Sequence, residues 1–212
     1  MTDSKIDVAS QALARLGEPS ISTFEEDSDT AEKVNLLYES TILALFSSFD
    51  WSFAKTKTLL QIDAAALPVN EWQRGFLMPD LRTDRVGKPL GVYASTSVGA
   101  GYVFQYEAHD RWIFTNETIC VLEYIRRVPE IQWPGYFITL AVEALAATLA
   151  LPITENASKE QLHRVIAYGT PSERGRGGYF GSATDSDSTG NPTISLLDDD
   201  DPMAAARFGG VF

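Results

Sequence analysis

Two segments near the start of the chain repeat their apolar residues at helical spacing. The first predicts a helix over residues 5–16, because positions three and four apart share one face of a helix. Ser4 and Asp7 fit a capping box at its start, and Gly17 fits its end. Its apolar face consists of Ile6, Ala9, Leu13 and Leu16. The second segment predicts a helix over residues 29–49, whose wide apolar stripe is typical of a helix buried between neighbours.

A second pair of helices is predicted in the later half of the chain. The first of the pair follows Pro134 and runs to Leu149, with Ala, Leu and Thr on almost all sides, as in a core helix. Glu143 and Pro152 interrupt the apolar stretch around it, so we interpret it as a core helix and not as a membrane span. The second of the pair starts at Ser158 with a capping box.

The stretch between these helix pairs has a different pattern, in which short β-type runs alternate with turn residues. The runs are predicted at residues 85–92, 102–106, 111–114 and 119–128, after an extended segment at residues 51–62. The last three runs follow one another closely, so we expect them to form an antiparallel meander.

These elements predict an α+β fold that is mainly helical. We expect an antiparallel bundle of about four helices with a small antiparallel β module inserted in it and an extended C-terminal arm. The predicted division is residues 1–66 for the first helical half with its extended segment, 67–128 for the β module, 129–180 for the second helical half and 181–212 for the arm. The arm is predicted to be flexible because Gly, Ser, Asp and Thr dominate its first residues.

Composition and charge narrow the classes of function. The 212 residues are 44% hydrophobic, which is enough for a packed core, and the net charge of −12 disfavours tight binding to nucleic-acid phosphates as the main task. The single cysteine, Cys120, excludes an intramolecular disulfide, and the two histidines are far apart in sequence. The pattern therefore indicates a protein made and kept in a reducing cytosol.

We predict no catalytic, cofactor-binding or metal site and no enzymatic activity. The acidic run at residues 198–201 lacks the spaced ligands of a calcium loop. The glycines and arginines of residues 174–178 lack the strand and helix that flank a nucleotide-binding loop, so a flexible joint with a basic patch is the favoured interpretation. Cys120 stands in an apolar run and is interpreted as a core residue.

Two interpretations of polar residues stay open. Arg126 and Arg127 are either ordinary surface or interface residues, which is the commoner case, or contacts to a nucleic-acid backbone. A hydrolase that uses Asp80, Asp84 or His109 would require these residues to converge in the fold, and the sequence does not demonstrate that.

The end of the chain combines apolar anchors with a run of carboxylates. Apolar residues on a polar tether need a partner surface to cover them, so we expect an interaction role for this tail. The residues that we assign to it are Ile194, Leu196, Leu197, Asp198, Asp199, Asp200, Asp201, Met203, Arg207, Phe208 and Phe212.

Several motifs, in this order, resemble the tail tubular protein A and head-to-tail connector adaptor family of tailed bacteriophages. They are ALARLGEP at residues 12–19 with ISTFEE at 21–26, FDWSF at 49–53, GFLMPDLR at 75–82, and LEYIRRV at 122–128 followed by WP at 133–134 and ALPIT at 150–154. The similarity covers about residues 6–166, and the order and spacing of the motifs carry it more than any single motif.

The resemblance implies a structural virion protein at the head–tail junction, made in the cytoplasm of a bacterial host. Such adaptors form a ring, here expected to hold twelve copies, between the portal and the next tail protein, which is a nozzle, a stopper or a tail tube. DNA would pass through the lumen without specific binding, and neither a membrane nor a cofactor is expected. The C-terminal residues named above would be the portal interface.

Two other classes of function remain open at this point. A tail terminator or stopper is also a virion ring protein, and composition does not separate it from an adaptor. A cytosolic ligand-binding domain would instead form a soluble oligomer with a small-molecule pocket and no affinity for virion proteins.

Overall fold

The computed structural model describes residues 4–66, 72–81, 83–96 and 105–190. This part of the chain contains five α-helices and six β-strands, so the predicted α+β class is confirmed. The helices α1 to α5 are Lys5–Leu16, Asp29–Ser48, Gly135–Thr154, Ala157–Tyr168 and Gly178–Gly190. The strands β1 to β6 are Lys55–Leu59, Arg74–Leu77, Arg85–Tyr93, Glu107–His109, Trp112–Thr115 and Val121–Arg126.

Helix α3 is at the centre of the helical part, because α1, α2, α4 and α5 all contact it. Small side chains such as those of Ala141 and Ala144 are fully buried and let the neighbouring helices approach closely. The length and apolarity of α3 would also suit a membrane span, but 61% of its most apolar 18-residue window is buried inside the protein. Its packing is that of a core helix.

The predicted ends of the helices are partly confirmed. The Ser4–Asp7 capping box begins α1, and Gly17 ends it with a positive φ of 77°. The capping box predicted from Ser158 is wrong, because the side chain of Asn156 accepts hydrogen bonds from the backbone of Ser158 and Lys159 and starts α4 one residue earlier.

The strands form two three-stranded antiparallel sheets with orders β1-β6-β3 and β2-β5-β4. The predicted meander is therefore wrong, because β5 pairs with β2 and β4 while β6 crosses to the other sheet. Strand β1 lies before residue 67, the predicted start of the β module, yet it pairs with β6 over its whole length. The sheet thus includes part of the segment that was assigned to the first helical half.

Helix α5 corrects the prediction that the flexible arm begins at residue 181. Residues 178–190 are helical, and Phe180, Ala183 and Asp187 point into the protein and are buried. Composition missed this helix because its stability comes from contacts with α3 and α4 rather than from its own propensity. The remaining arm residues, 191–212, lie outside the described part of the chain.

The buried residues form two clusters. The larger cluster joins all five helices with the facing edge of the first sheet, and its largest side chains include Trp51, Phe46 and Phe137. The smaller cluster lies between the two sheets and includes Phe76, Leu122 and the fully buried Cys120. The helices therefore share one apolar core with the first sheet, and the two sheets share a second, smaller core.

Candidate functional site

The first candidate surface is the outer face of α2, which no other described element covers. Leu36 is 76% exposed there, and Leu81 is 57% exposed in the turn that faces the same helix. A groove of about 400 Å³, which we call the α2 groove, lies between α2 and Leu81. Its lining consists of Ser40, Leu43, Ala44, Ser47, Leu81, Val86 and Gly87. Small side chains along α2 would let another helix pack close to its backbone.

The α2 groove follows directly from the local sequence. Val34, Ile42 and Leu45 lie on the opposite face of α2 and are buried in the core, so the residues between them must face outward. The far wall is a turn in which the backbone N–H groups of Asp84 and Arg85 both donate to the carbonyl of Asp80. This turn holds Leu81 in front of the helix.

A second surface is the cleft between α3 and α4, which we call the α3–α4 cleft. It has a volume of about 750 Å³ and an apolar floor. The apolar lining residues are Ala147, Leu151, Pro152, Val165, Tyr168 and Pro171. Leu151 is 47% exposed at this floor, and the other contributors include Glu160 and Arg164, which pair with each other at 3.6 Å. The cleft therefore combines an apolar floor with a charged rim.

The end of the α3–α4 cleft is formed by a structured turn. The backbone N–H and the hydroxyl of Thr170 both donate to Oε2 of Glu173 at 2.7 Å, and the hydroxyl's hydrogen bond is the main reason that the pKa of Glu173 is lowered. A glycine is required at position 178, because its φ is +56° and a Cβ atom on it would be 2.4 Å from the backbone carbonyl oxygen of Ile166. Residues 174–178, which were predicted to be a flexible joint, form this turn and the first residue of α5.

The same turn supplies the positive charge of the cleft. Gly175 lines the cleft, and its two neighbours, Arg174 and Arg176, are exposed. Within the described ranges neither arginine has an ion-pair partner. Together with Arg164 at the lining, these two arginines of the turn are called the basic rim, and they stand beside the carboxylates of Glu160 and Glu173.

Three buried or mostly buried polar contacts hold together the helices and strands around these surfaces. The carboxylate of Glu143 in the middle of α3 lies 2.9 Å from His163 Nδ1 on α4 and 3.3 Å from Arg15 Nε on α1. Both Glu143 and His163 are almost completely buried. The sequence offered one signal for this network, the single charge within the apolar stretch of α3, but not the identity of its partners.

The second of these contacts is made by Arg127, which pairs with two carboxylates and does not extend freely into solvent. Its guanidinium binds Glu39 on α2 at 2.9 Å and Glu130 at 2.6 Å, and it lies over the rings of Phe46 and Trp133. Of the two arginines considered for nucleic-acid contact, only Arg126 has an exposed side chain. Arg127 instead ties the end of β6 to α2.

The third of these contacts is made by Asp187 and was not predicted. One carboxylate oxygen accepts from Ser52 Oγ at 2.8 Å and from Tyr136 Oη at 2.7 Å, and the other accepts from the backbone N–H of Ser52 at 2.8 Å. Burial and the hydrogen bond to Asp187 raise the pKa of the Tyr136 hydroxyl. These contacts hold the last turn of α5 against the start of α3.

The residues weighed for catalysis are not brought together. Asp80 and Asp84 lie in the turn before β3, whereas His109 ends β4 in the other sheet and stacks on Phe114 with 4.5 Å between ring centroids. Burial raises the pKa of the Cys120 thiol to about 12. No group of three or more His, Cys, Asp or Glu side chains that could hold a metal ion occurs in the part of the chain that the structure describes.

All the portal-interface candidates of the sequence analysis lie within residues 191–212, outside the described residues. The structure therefore brings together none of the residues predicted for that interface, and it presents instead the α2 groove and the α3–α4 cleft. A comparison with protein-family models finds no matching family, and a comparison with curated proteins finds no match.

Proposed function

We propose that this chain is a ring-forming adaptor of a tailed bacteriophage, located in the virion between the portal and the tail. In this role twelve copies would extend the DNA channel and seat the next tail component. The motifs that resemble the tail tubular protein A family support the proposal, as does the α+β fold with its central apolar helix. The proposal also includes an adaptor-type helix bundle and a C-terminal arm that binds the portal.

The observation that carries the proposal is the exposed α2 groove. A subunit of a ring must present a surface that its neighbour covers, because a head-to-tail contact repeats around the axis. Leu36 and Leu81 would lose their large exposed apolar surface in such a contact, and the small side chains of Ser40 and Ala44 permit close helix packing. We infer that this groove is one half of the contact between neighbouring copies.

The charge of the chain supports a lumen with low affinity for DNA. The net charge is −12, and residues 18–32 contain six carboxylates and no lysine or arginine. Five of these carboxylates are exposed, namely those of Glu25, Glu26, Asp27, Asp29 and Glu32. Carboxylates repel DNA phosphates and release no bound counterions from the duplex, so DNA could slide past such a surface without being held.

The experiment that tests this function is negative-stain imaging of the portal encoded by the same genome, mixed with the full chain or with a variant. The wild-type chain should add a ring to the portal. Ala44→Glu places a charge at an exposed position in the α2 groove, so it should leave the monomer folded and prevent the ring.

Ser186→Glu is the matched control, because it adds the same charge at an exposed position on α5. It should form the ring normally. A normal ring with Ala44→Glu would refute the assigned contact between copies. Failure of the wild-type chain to join the portal would refute the adaptor function and make a tail terminator or stopper, tested with the tail-tube protein, the leading alternative.

A further inference from the structure

No segment of the described part of the chain covers the α3–α4 cleft. Its floor exposes apolar atoms of Leu151 and Val165, and its rim carries the guanidinium groups of Arg164, Arg174 and Arg176. Two carboxylates lie beside these arginines, and both have partners, since Glu160 pairs with Arg164 and Glu173 accepts hydrogen bonds from Thr170. An occupant that suits this cleft is an apolar segment followed directly by negative charges.

The C-terminal 22 residues of the chain have this chemistry in the required order. Ile194, Leu196 and Leu197 provide the apolar part, and the four aspartates at residues 198–201 follow without a gap. Against these carboxylates the segment has one basic residue, Arg207. The apolar residues would match the floor and the aspartates would match the basic rim, because attraction between opposite charges also sets the direction in which a segment binds.

The geometry of α5 allows this segment to reach the cleft of its own chain. Helix α5 begins beside the C-terminal end of α4, where a Cβ atom on Gly178 would be 2.4 Å from the carbonyl oxygen of Ile166. It ends near the start of α3, where Asp187 binds Tyr136 at 2.7 Å. The last described residue, Gly190, is therefore three residues beyond this contact with α3.

The distance to be covered agrees with the length of the segment. Ala147, at the near end of the cleft, lies eleven residues beyond Tyr136 on the same helix, a separation of about 16 Å along the axis at 1.5 Å per residue. The six residues from Gly190 to Leu196 span about 20 Å when extended. Leu196 and Leu197 can therefore reach the floor of the cleft at the end where Ala147 lies.

We propose that residues 191–212 dock in the α3–α4 cleft of their own chain, with Leu196 and Leu197 on the apolar floor and the aspartates against the basic rim. The tether to α5 favours this intramolecular contact, because a short linker keeps the segment at a high effective concentration near the cleft. This docking is a property of the free chain and does not depend on the proposed contact with the portal. A partner that binds the same segment would have to displace it from the cleft.

Paramagnetic NMR on the full chain tests the proposal. A nitroxide attached through Thr193→Cys reports which methyl groups lie near the segment, and the native thiol of Cys120 is fully buried and so is protected from the label. The methyl signals of Leu151 and Val165 should lose most of their intensity, while those of Leu36, which is exposed on α2, should not. Loss at Leu36 as large as at Leu151, or loss at neither, would overturn the proposal.

A mixed sample distinguishes the chain's own segment from that of a second copy. Chains with the nitroxide but no labelled methyl groups are mixed with methyl-labelled chains that carry no nitroxide. Intramolecular docking predicts that the methyl signals of Leu151 and Val165 keep their intensity in this mixture. Loss of those signals only in the mixture would show that a second copy supplies the segment, which contradicts the proposal.

Two substitutions test the chemistry of the contact. Leu151→Asp places a charge on the exposed floor and should restore the methyl signal of Val165 in the chain with the nitroxide. Leu162→Asp is the matched control, because Leu162 is 56% exposed on α4 but does not line the cleft, and it should leave the effect of the nitroxide unchanged. If the two variants behave alike, the apolar floor is not the docking site.

Discussion

At the scale of single residues, a few buried polar side chains determine how the helices meet the sheet. Asp187 is 3% exposed and accepts hydrogen bonds from Ser52 and Tyr136. Arg127 joins β6 to α2 through Glu39 and the nearby Glu130. Removing one partner from such a buried contact is costly, because the remaining donors or charges lose both the contact and the water that solvated them in the unfolded chain.

We expect Asp187→Ala to lower the free energy of unfolding by about 1–3 kcal/mol, because it leaves the half-buried donors of Ser52 and Tyr136 without this acceptor. Urea unfolding followed by tryptophan fluorescence measures the change. Asp185→Ala is the matched control on the same helix, and since Asp185 is exposed, we expect a change within about 0.5 kcal/mol. Equal effects of the two substitutions would contradict the role assigned to Asp187.

Cys120 gives a prediction about reactivity. Its thiol is fully buried and its pKa is raised to about 12, so at pH 8 it stays protonated and shielded, whereas only the thiolate is reactive. We expect iodoacetamide at pH 8 to leave the folded protein unmodified and to alkylate Cys120 after unfolding in guanidinium. Mass spectrometry distinguishes the two cases. Rapid alkylation of the folded protein would show that the core between the two sheets opens readily.

At the scale of secondary-structure elements, α3 is stabilised from several sides by its neighbours. Glu143 connects it to His163 on α4 and to Arg15 on α1. Arg15 is 54% exposed, so its pair with Glu143 is partly solvated, whereas the pair with His163 is buried. The contact between Glu143 and His163 is therefore the stronger determinant of how α3 and α4 align.

A double-mutant cycle tests this alignment. Glu143→Leu alone should lower the free energy of unfolding by about 3 kcal/mol, because it leaves His163 buried without its partner. Glu143→Leu with His163→Leu should cost less than the sum of the two single substitutions, since an apolar pair no longer buries a polar group. Glu160→Ala is the control, and its loss should stay below about 1 kcal/mol because its pair with Arg164 is at the surface.

The sequence predicted the elements with strong periodicity and missed those that depend on distant contacts. The apolar spacing of residues 5–16 and the continuous apolar run after Pro134 identified α1 and α3, because a helix with a marked apolar face reveals itself locally. Helix α5 was missed because Gly, Ser and Thr have low helix propensity, and because Phe180, Ala183 and Asp187 hold it in place through contacts with distant segments. Strand partners were missed because β6 joins strands far from it in the chain.

The candidate surfaces were less predictable than the fold. The α2 groove needs the turn at Asp80 to lie against α2, and the α3–α4 cleft needs the capped turn at Thr170 to lie beside α3. These contacts join residues that are far apart in the chain, so the spacing of residues along the sequence could not predict the groove or the cleft. The sequence identified a candidate interaction segment only where unusual composition marks it, as in the apolar and acidic residues near the C-terminus.

At the scale of the whole molecule, the proposed assembly depends on many weak contacts. If Met203, Phe208 and Phe212 are each buried at the portal, each would contribute about 1.5–3 kcal/mol before the cost of ordering the segment. Twelve such arms would act together, and multivalent binding of this kind is firm even when a single arm binds weakly. An isolated subunit that is monomeric in solution is therefore consistent with a stable ring on the portal.

The most direct test of the adaptor function is co-sedimentation with the portal encoded by the same genome. We predict that the full chain sediments with the portal, that the complex shows an added ring, and that a chain ending at Leu197 is folded by circular dichroism but remains in the supernatant. Loss of the folded structure in the shortened chain would contradict the assignment of residues 198–212 to an arm. Absence of the full chain from the portal pellet would contradict the adaptor function itself.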